Sequence, residues 1–444
     1  MKRILTIAAS DSGGGAGIQA DLKTISLLGC YGMSAITALT AQNTTGVKQI
    51  QKVPARFIAT QIDTVISDIG VDVVKTGMLV DAEVIETVAR TLRSHHVKKV
   101  IVDPLMVAKN GVSLLAPGAH TSLKREMIPL AFLVTPNLHE ASVLSGKVIQ
   151  NISHMKEASK RIHRLGAQNV LVKGGHLKGK PVDILYDGKE LYEFEAERIK
   201  TKNTHGTGCT FSAAIAADIA KGLPLIQAVK NAKDFITTSI RCSLELGKGY
   251  GPVNPYASFM HHQEIGSCSN ELQSALQKLK EGNIGHLIPE VQSNLGYALP
   301  HATSAQEVIA FPGRIIRLNH RITTVAAPMP GVSRHIAQII LTVMKYNREM
   351  RSAMNIRYSP KIIRKCRLLK FKLAVFDRQD EPESIRRKEG ASLSWGIEKL
   401  LSTSRTVPDV IYDEGDKGKE PMVRIIGRNP LEVVEKVLKI AHER

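Results

Sequence analysis

Short β-rich runs alternate with helical runs across the first 250 residues, and this alternation limits the folds open to the chain. Ile4 to Ala9 reads as a strand, Asp11 to Gly17 as a glycine loop and Ile18 to Leu28 as a helix. Val71 to Lys75, Val97 to Asp103, Ala131 to Thr135 and Asn169 to Lys173 are further short apolar runs that end in loop residues. Helical patterns separate them at Arg56 to Ile69, Glu83 to Leu92 and Met155 to Leu165. Such alternation predicts an α/β fold, a mostly parallel sheet with helices on both faces. Ligands of such sheets bind beyond the carboxyl ends of the strands. The chemistry is therefore expected in the loops that follow these runs.

The alternation breaks between Gly247 and Ser269, where glycines and the pair His261-His262 show no period. We expect a first domain over 1–255, a linker over 256–269 and a second, smaller α/β domain over 270–444. The His pair has no third ligand at metal spacing and reads as polar linker. In the second part, Arg314 to Leu318, Arg321 to Val325, Lys372 to Phe376 and Val410 to Tyr412 read as strands. A helix is expected from Ser333 to about Met350, because Ile336, Ile339, Ile340, Val343 and Met344 fall at i, i+3, i+4, i+7 and i+8. Pro430 suits the first turn of a last helix to about His442.

Composition removes several classes. No apolar run reaches the ~18–20 residues of a membrane helix, and the start, Met1-Lys2-Arg3, leads into too short an apolar stretch for a signal peptide. The 5 cysteines are scattered without a CxxC pair, so neither a disulfide framework nor a zinc site is suggested. A cytosolic protein without a membrane partner is expected. The net charge of +19 is spread over both halves, whereas a nucleic-acid tail would concentrate it. Aromatics are only 4%, so no stacking platform for bases is present and nucleic acid is not expected as a partner. A diffuse positive potential suits anionic small molecules.

Asn203-Thr204-His205-Gly206-Thr207-Gly208-Cys209-Thr210 precedes a small-residue helix. Glycines let a backbone approach a ligand, and a helix start offers unpaired N–H groups to an anion. A tight turn into a buried Ala-rich helix has the same pattern. Cys209 stands where that helix begins, so a lowered thiol pKa is expected. It would serve as a base or a polar anchor at a reacting hydroxyl, or pack as a buried thiol. No GxxxxGK[ST] occurs, so phosphate handling is not of P-loop type. The Asp11 to Gly17 loop lacks the G-x-G-x-x-G register and alone is a weak signal.

Taken in order, Ser12 to Thr24, Ala38 to Thr44, Lys75-Thr76-Gly77-Met78-Leu79, Thr135-Pro136-Asn137, Lys173-Gly174-Gly175-His176 and Asn203 to Thr210 resemble the bifunctional hydroxymethylpyrimidine kinase/phosphomethylpyrimidine kinase family. That family lies within the ribokinase-like superfamily. The resemblance covers roughly residues 1–255. Most ribokinase-like sugar kinases carry Asp where Cys209 stands, so the Cys resembles the vitamin-kinase branch. The resemblance implies that Asp21 and Gln42 bind an aminopyrimidine and that Met78 packs its ring. It implies an anion hole of Gly206, Thr207, Gly208 and Cys209 for the transferred phosphoryl. Asp103 and Glu140 would hold Mg²⁺ directly or through water. Lys173, with Asn137 and Thr204, would meet the phosphates of ATP, the co-substrate. A homo-oligomer through this domain is expected.

In the second part, Pro330-Gly331-Val332-Ser333-Arg334-His335 stands at the start of the best helix. Backbone N–H groups, Ser333, Arg334 and His335 suit a phosphate or diphosphate; an ordinary capped helix has the same look. Arg314 would need a partner if buried. Asn355, Arg357 and Lys419 are weaker candidates. Ile288 to Val291, Ser293 to Ala298, Phe311 to Ile315, Ser333 to His335, Ala353 to Tyr358, Phe376-Asp377-Arg378 and Gly418 to Pro421 resemble the ThiN-type thiamine-phosphate synthase domain. That implies coupling of a pyrimidine diphosphate with thiazole phosphate, with Arg314 and His335 as the residues that stabilise the leaving diphosphate. Two other readings stay open. In one the second domain is a non-catalytic sensor of thiamine phosphate. In the other the chain is a pyridoxal-type vitamin kinase.

Overall fold

The computed structural model describes residues 1–107, 111–300, 302–376, 382, 391–403, 406–416 and 419–443. The side chains at 261–262, 391–393 and 403 lie outside that description, as do Asp377, Arg378 and Gly418. The chain divides into two compact units, Met1–Phe259 and Met260–Arg444. Among the described residues no helix is long and apolar enough to cross a membrane.

The first unit is built on a nine-stranded sheet. Its strands are β1 (Arg3–Asp11), β2 (Tyr31–Asn43), β3 (Gly46–Lys52), β4 (Val73–Thr76), β5 (Val100–Val102), β6 (Leu133–Val134), β7 (Val170–Val172), β8 (Val182–Tyr186) and β9 (Leu191–Glu195). The order is β3-β2-β1-β4-β5-β6-β7-β8-β9. From β2 through β7 all neighbours are parallel, and β3, β8 and β9 add antiparallel edges. The central strands read as unbroken apolar runs because both faces are covered. Alternate residues serve opposite faces. Leu5, Val74, Val102, Val134 and Val172 share a core with helices Ala55–Asp68, Ala82–Ser94 and Ile152–His163. Ile4, Val73, Ile101, Leu133 and Leu171 pack with helices Thr207–Lys221 and Leu225–Arg241.

Caps start the helices where the site needs them. The Asp81 side chain accepts the Val84 N–H at 3.0 Å. Asn137 and Glu140 form a reciprocal capping box on helix Leu138–Ser145. That box anchors Glu140 close behind the end of β6.

The second unit carries β10 (Leu295–Ala298), β11 (Val308–Ala310), β12 (Ile315–Leu318), β13 (Arg321–Thr324), β14 (Met329–Pro330), β15 (Ser352–Arg357), β16 (Leu373–Val375), β17 (Val410–Asp413) and β18 (Met422–Gly427). Seven of these form a sheet in the order β14-β11-β10-β15-β18-β17-β16, with β12 and β13 as a separate hairpin. All neighbours in the sheet are antiparallel except β16 and β17. Helices Arg334–Met344 and Pro430–His442 bury Ile336, Ile340, Val433 and Val437 in one core with the sheet.

Two expectations about elements are corrected. The stretch expected as a linker, 256–269, is helical from Ala257 and continues to Glu281. Its later turns bury Cys268, Leu272, Ala275, Leu276 and Leu279 in the second core, and that burial supplies the stability its polar start lacks. The helix expected to reach Met350 ends at Met344. There the Asn347 side chain takes the Glu349 N–H at 3.0 Å and turns the chain away.

Candidate active site

A cavity of about 1120 Å³ opens at the carboxyl ends of the parallel strands. Each strand delivers one functional element to it: Asp11 from β1, Gln42 from β2, Gly77 and Met78 after β4, Asp103 after β5, Asn137 after β6, and Lys173 after β7. Helix Thr207–Lys221 points its start into the same space, and Thr204, Gly206, Thr207, Gly208 and Cys209 all line it. Of the expected kinase residues, only Asp21 is absent from the lining.

Gly206 caps that helix at φ 80°, a conformation that favours glycine. A Cβ there would overlap the carbonyl oxygen of Gly15. The two glycine loops, 11–17 and 203–208, therefore touch backbone to backbone. The helix start leaves its first N–H groups without intrahelical acceptors, and its dipole favours negative charge there.

Cys209 corrects one expectation. Burial pushes its thiol up to about 11, against the pull of Lys75 and the Gly17 N–H. Asp21 and Asp103 push the same way as burial. Desolvation and two carboxylates outweigh the helix start, so the free protein holds a thiol rather than a thiolate. Asp21 corrects another. Its carboxylate accepts from Lys75 Nζ at 2.8 and 3.0 Å and from the Thr6 hydroxyl at 2.6 Å. Both Asp21 and Lys75 are fully buried. Burial opposes the charge on Lys75, but Asp21 keeps its ammonium above the ordinary lysine range. Asp21 is consumed by this pair and does not face the ligand space.

Lys173, Asp103 and Glu140 come together on the opposite side of the helix start. Lys173 Nζ donates to Asp103 Oδ1 at 2.8 Å, and the Thr135 hydroxyl donates to the same oxygen at 3.1 Å. Burial alone would raise Asp103; Lys173 and Lys75 outweigh it and hold the carboxyl below its usual value. Burial raises Glu140 to about 7, with Asp103 adding to the rise and Lys173 opposing it. A carboxyl so raised beside a second carboxylate is one whose charge a divalent cation would stabilise. Asp103 Oδ2 lies 3.5 Å from where a Cβ on Gly208 would stand, facing the anion hole. The donor chemistry fits Mg²⁺ shared between one or two carboxylates and phosphate oxygens. Among the described residues no cluster of three or more His, Cys, Asp or Glu could hold a metal by protein ligands alone.

The cavity is also lined by Met78, Gln42, Asp11 and His205. Met78 packs with Ala9, Ala38 and Leu114. Asp11 and His205 were not among the expected site residues. The Asp11 carboxylate accepts from the N–H groups of Gly13, Gly15 and Ala16 at 2.8 to 3.0 Å and contacts His205 Nε2 at 3.0 Å. Burial alone would raise this carboxyl; His205 and the N–H groups outweigh it and hold it low. Glycine spacing offered a signal for Asp11, since an acid at the head of Gly13-Gly14-Gly15 can accept from the turn it opens.

In the second unit Arg314 is exposed at φ 72°, immediately before β12, and its guanidinium donates to the Val291 carbonyl. Being exposed, it does not need the charged partner that burial would have required. Ser333 precedes helix Arg334–Met344 as N-cap without a side-chain cap bond, and Arg334 and His335 are exposed in the first turn. Asn355 is buried; its side-chain carbonyl accepts the Asn294 N–H at 2.7 Å. The Glu420 carboxylate accepts the N–H groups of Glu290 and Val291 at 3.0 and 3.1 Å, next to the carbonyl that Arg314 holds.

Residues 11–254 match the family model of phosphomethylpyrimidine kinase, and residues 271–439 match that of thiamine-phosphate synthase ThiN. The thiamine biosynthesis bifunctional protein ThiED of Geobacter sulfurreducens is 57% identical over 252 residues, which are 56% of this chain and 51% of that protein. The match thus spans about half the length of that relative. The hydroxymethylpyrimidine/phosphomethylpyrimidine kinase of Rhizobium meliloti is 51% identical over 256 residues, 57% of this chain and 96% of the relative. Among solved structures, an ADP complex of Bacillus subtilis pyridoxal kinase is 43% identical, with a TM-score of 0.55 over 59% of this chain and 99% of that one. With the ribokinase-like sheet and the glycine-headed helix in place, the chain belongs to the phosphomethylpyrimidine kinase family, here fused to a ThiN domain.

Proposed function

We propose that the first unit phosphorylates 4-amino-5-hydroxymethyl-2-methylpyrimidine with ATP, then phosphorylates the monophosphate to the diphosphate. We propose that the second couples the diphosphate with thiazole phosphate to give thiamine phosphate. One observation carries the kinase reading: a single cavity is lined by the Gln42 amide and Met78, by Lys173 with Asp103 and Glu140, and by a glycine-headed helix start. Gln42 reads the aminopyrimidine edge, and Met78 covers its ring. The hydroxymethyl oxygen forms its bond to the γ-phosphorus as the bond to the ADP oxygen breaks, and the hydroxyl proton passes to an oxygen of the transferred phosphoryl group. The loose transition state of phosphoryl transfer asks for charge stabilisation more than base strength. Gly206 to Cys209 and Lys173 supply it, and the Cys209 thiol acts as a polar anchor for the oxygen. Asp103 and Glu140 would hold Mg²⁺, which when bound neutralises phosphate charge.

In the coupling, the thiazole nitrogen forms a bond to the pyrimidine methylene as diphosphate leaves. Arg314, with Ser333, Arg334 and His335 at the helix start, would bind phosphate oxygens. The same reading takes residues 1–255 and 270–444 as the two catalytic domains of a cytosolic enzyme, with a homo-oligomer formed through the kinase.

The likeness to a pyridoxal kinase favours one competing substrate, pyridoxal. The purified chain, given the pyrimidine alcohol, ATP, Mg²⁺ and thiazole phosphate, is expected to yield thiamine phosphate by mass spectrometry. Pyrimidine diphosphate without thiamine phosphate would reduce the second unit to a sensor. A higher kcat/KM for pyridoxal would overturn the substrate assignment.

A further inference from the structure

His205 stands between two polar groups that make opposite demands on it. Its Nε2 lies 3.0 Å from Asp11 Oδ2 and 3.1 Å from Gln42 Nε2. Asp11 already accepts three backbone N–H groups, which favour the carboxylate over the acid. An ionised acceptor at 3.0 Å requires a proton on His205 Nε2. That nitrogen then has no lone pair to offer an amide N–H.

The far end of the Gln42 amide raises the same question. Its Oε1 is 3.2 Å from the Thr40 hydroxyl, and that hydroxyl is 2.9 Å from the Ser10 carbonyl oxygen. A carbonyl can only accept, so the single Thr40 proton goes to Ser10. Towards Gln42, Thr40 has lone pairs only. Both contacts are satisfied by one arrangement: the amide turned end for end, its oxygen towards His205 and its NH₂ towards Thr40. His205 Nε2–H is then shared between Asp11 and the amide oxygen.

We propose that His205, held by Asp11, is a positioning residue that fixes the direction of the Gln42 amide and so makes the cavity selective for an aminopyrimidine edge. The inference rests on the substrate reading above and goes beyond it. An aminopyrimidine presents an amino donor beside a ring-nitrogen acceptor. A fixed amide offers the complementary pair, an oxygen beside an N–H. The 4-oxo analogue presents the reverse order, an acceptor beside a ring N–H. A fixed amide meets it with like against like and leaves buried groups unpaired, which is how such sites discriminate strongly. An amide free to turn would accept both. The chain Asp11–His205–Gln42 also ties the substrate end to the phosphate end, because the residue after His205 is Gly206 of the anion hole. A Cβ on Gly15 would overlap the His205 ring, so the ring has little room to swing.

The test compares kcat/KM for the 4-amino and 4-oxo pyrimidine alcohols, with KM for ATP, in the native chain, His205→Phe and His205→Gln. The Phe variant keeps a ring without the N–H, and the Gln variant keeps a donor. His205→Phe is expected to cut the amino-over-oxo preference at least ~10-fold, with the loss in the pyrimidine KM and the ATP KM unchanged. His205→Gln is expected to restore most of the preference. If a melting curve shows His205→Phe unfolded, Thr40→Val, which removes the partner at the other end of the amide, is expected to give the same loss. An undiminished preference in a folded variant overturns the proposal and leaves the substrate reading intact. A native chain that turns over neither pyrimidine overturns both.

Discussion

Lys75 and Asp21 form an ion pair 2.8 Å long with both side chains at 0% exposure, two residues before the chain reaches Gly77 and enters the cavity. Asp21 lies on helix Gly17–Leu27 and Lys75 on β4, so the pair ties that helix to the centre of the sheet. Removing one partner of such a pair leaves an uncompensated buried charge, typically ~3–5 kcal/mol. Asp21→Asn is expected to cost an amount of that order in denaturant unfolding. Asp21→Leu combined with Lys75→Met is expected to recover much of it. In folded Asp21→Asn, the pyrimidine KM is expected to stay within about threefold of native, since Asp21 is not a lining residue. An increase of tenfold or more at unchanged stability would return Asp21 to the substrate.

The Cys209 thiol, raised to about 11 by burial, predicts a definite pH dependence of alkylation. At pH 7.5 fewer than about one in a thousand of these thiols is ionised, and the thiolate is the reactive form. Iodoacetamide labelling, followed by peptide mass mapping, is expected to rise about tenfold per pH unit from pH 7 to 9.5. Cys242, the one cysteine of the five that is not buried, should label first. A Cys209 rate that levels off by pH 8 would mean a lowered thiol pKa, as the helix start alone suggested.

Gly206 and Gly222 bound the same helix, at φ 80° and 92°, and their substitution should separate strain from function. Gly206→Ala forces a Cβ onto the Gly15 carbonyl, so the two loops must part. Displacement of catalytic groups by about 1 Å can cost ~10²-fold in rate. A loss of that order in kcat/KM is expected. Gly222→Ala meets nothing within 4 Å and pays only the left-handed backbone cost of ~1–2 kcal/mol. It should lower the melting temperature and spare turnover. Equal activity in the two variants would remove the anion hole from the mechanism.

Much of the site was legible because parallel strands end in loops, and loop residues carry their chemistry in short motifs. Thr204 to Cys209, Lys173, Asp103 and Asn137 all reach the cavity from positions that the strand–helix alternation defined. What was not legible depends on distance along the chain. His205 and Asp11 are 194 residues apart, and only the fold makes them neighbours. The Cys209 environment is likewise tertiary, since Asp21 and Asp103 approach from other elements. Strand β2 went unread because most of its buried positions are small or polar, Ala35, Thr37, Ala38 and Thr40, with Met33 the one large apolar side chain among them. Only the first turns of the helix that begins at Ala257 were hidden, by Gly266 and the polar residues around it; Leu272, Ala275, Leu276 and Leu279 carry a legible helical period over 270–280.

Arg314 offers an unusually clean test of the coupling step. A non-glycine residue at φ 72° bears a backbone cost of ~1–2 kcal/mol, and a side chain kept there against that cost is a candidate for function. Arg314→Gly removes the guanidinium and relieves the backbone together. The variant should melt no lower than native, because glycine accepts this conformation freely, although the bond to the Val291 carbonyl is lost. Both kinase steps should proceed at native rates in the same polypeptide. Thiamine phosphate formation should fall by ~10²-fold or more, the scale on which loss of a charge-stabilising donor acts. His335→Ala, in the first turn of helix Arg334–Met344, should show the same split between kinase and coupling. If Arg314→Gly and His335→Ala both fold and both couple at close to the native rate, the diphosphate is stabilised elsewhere and the sensor reading of the second unit is the better one.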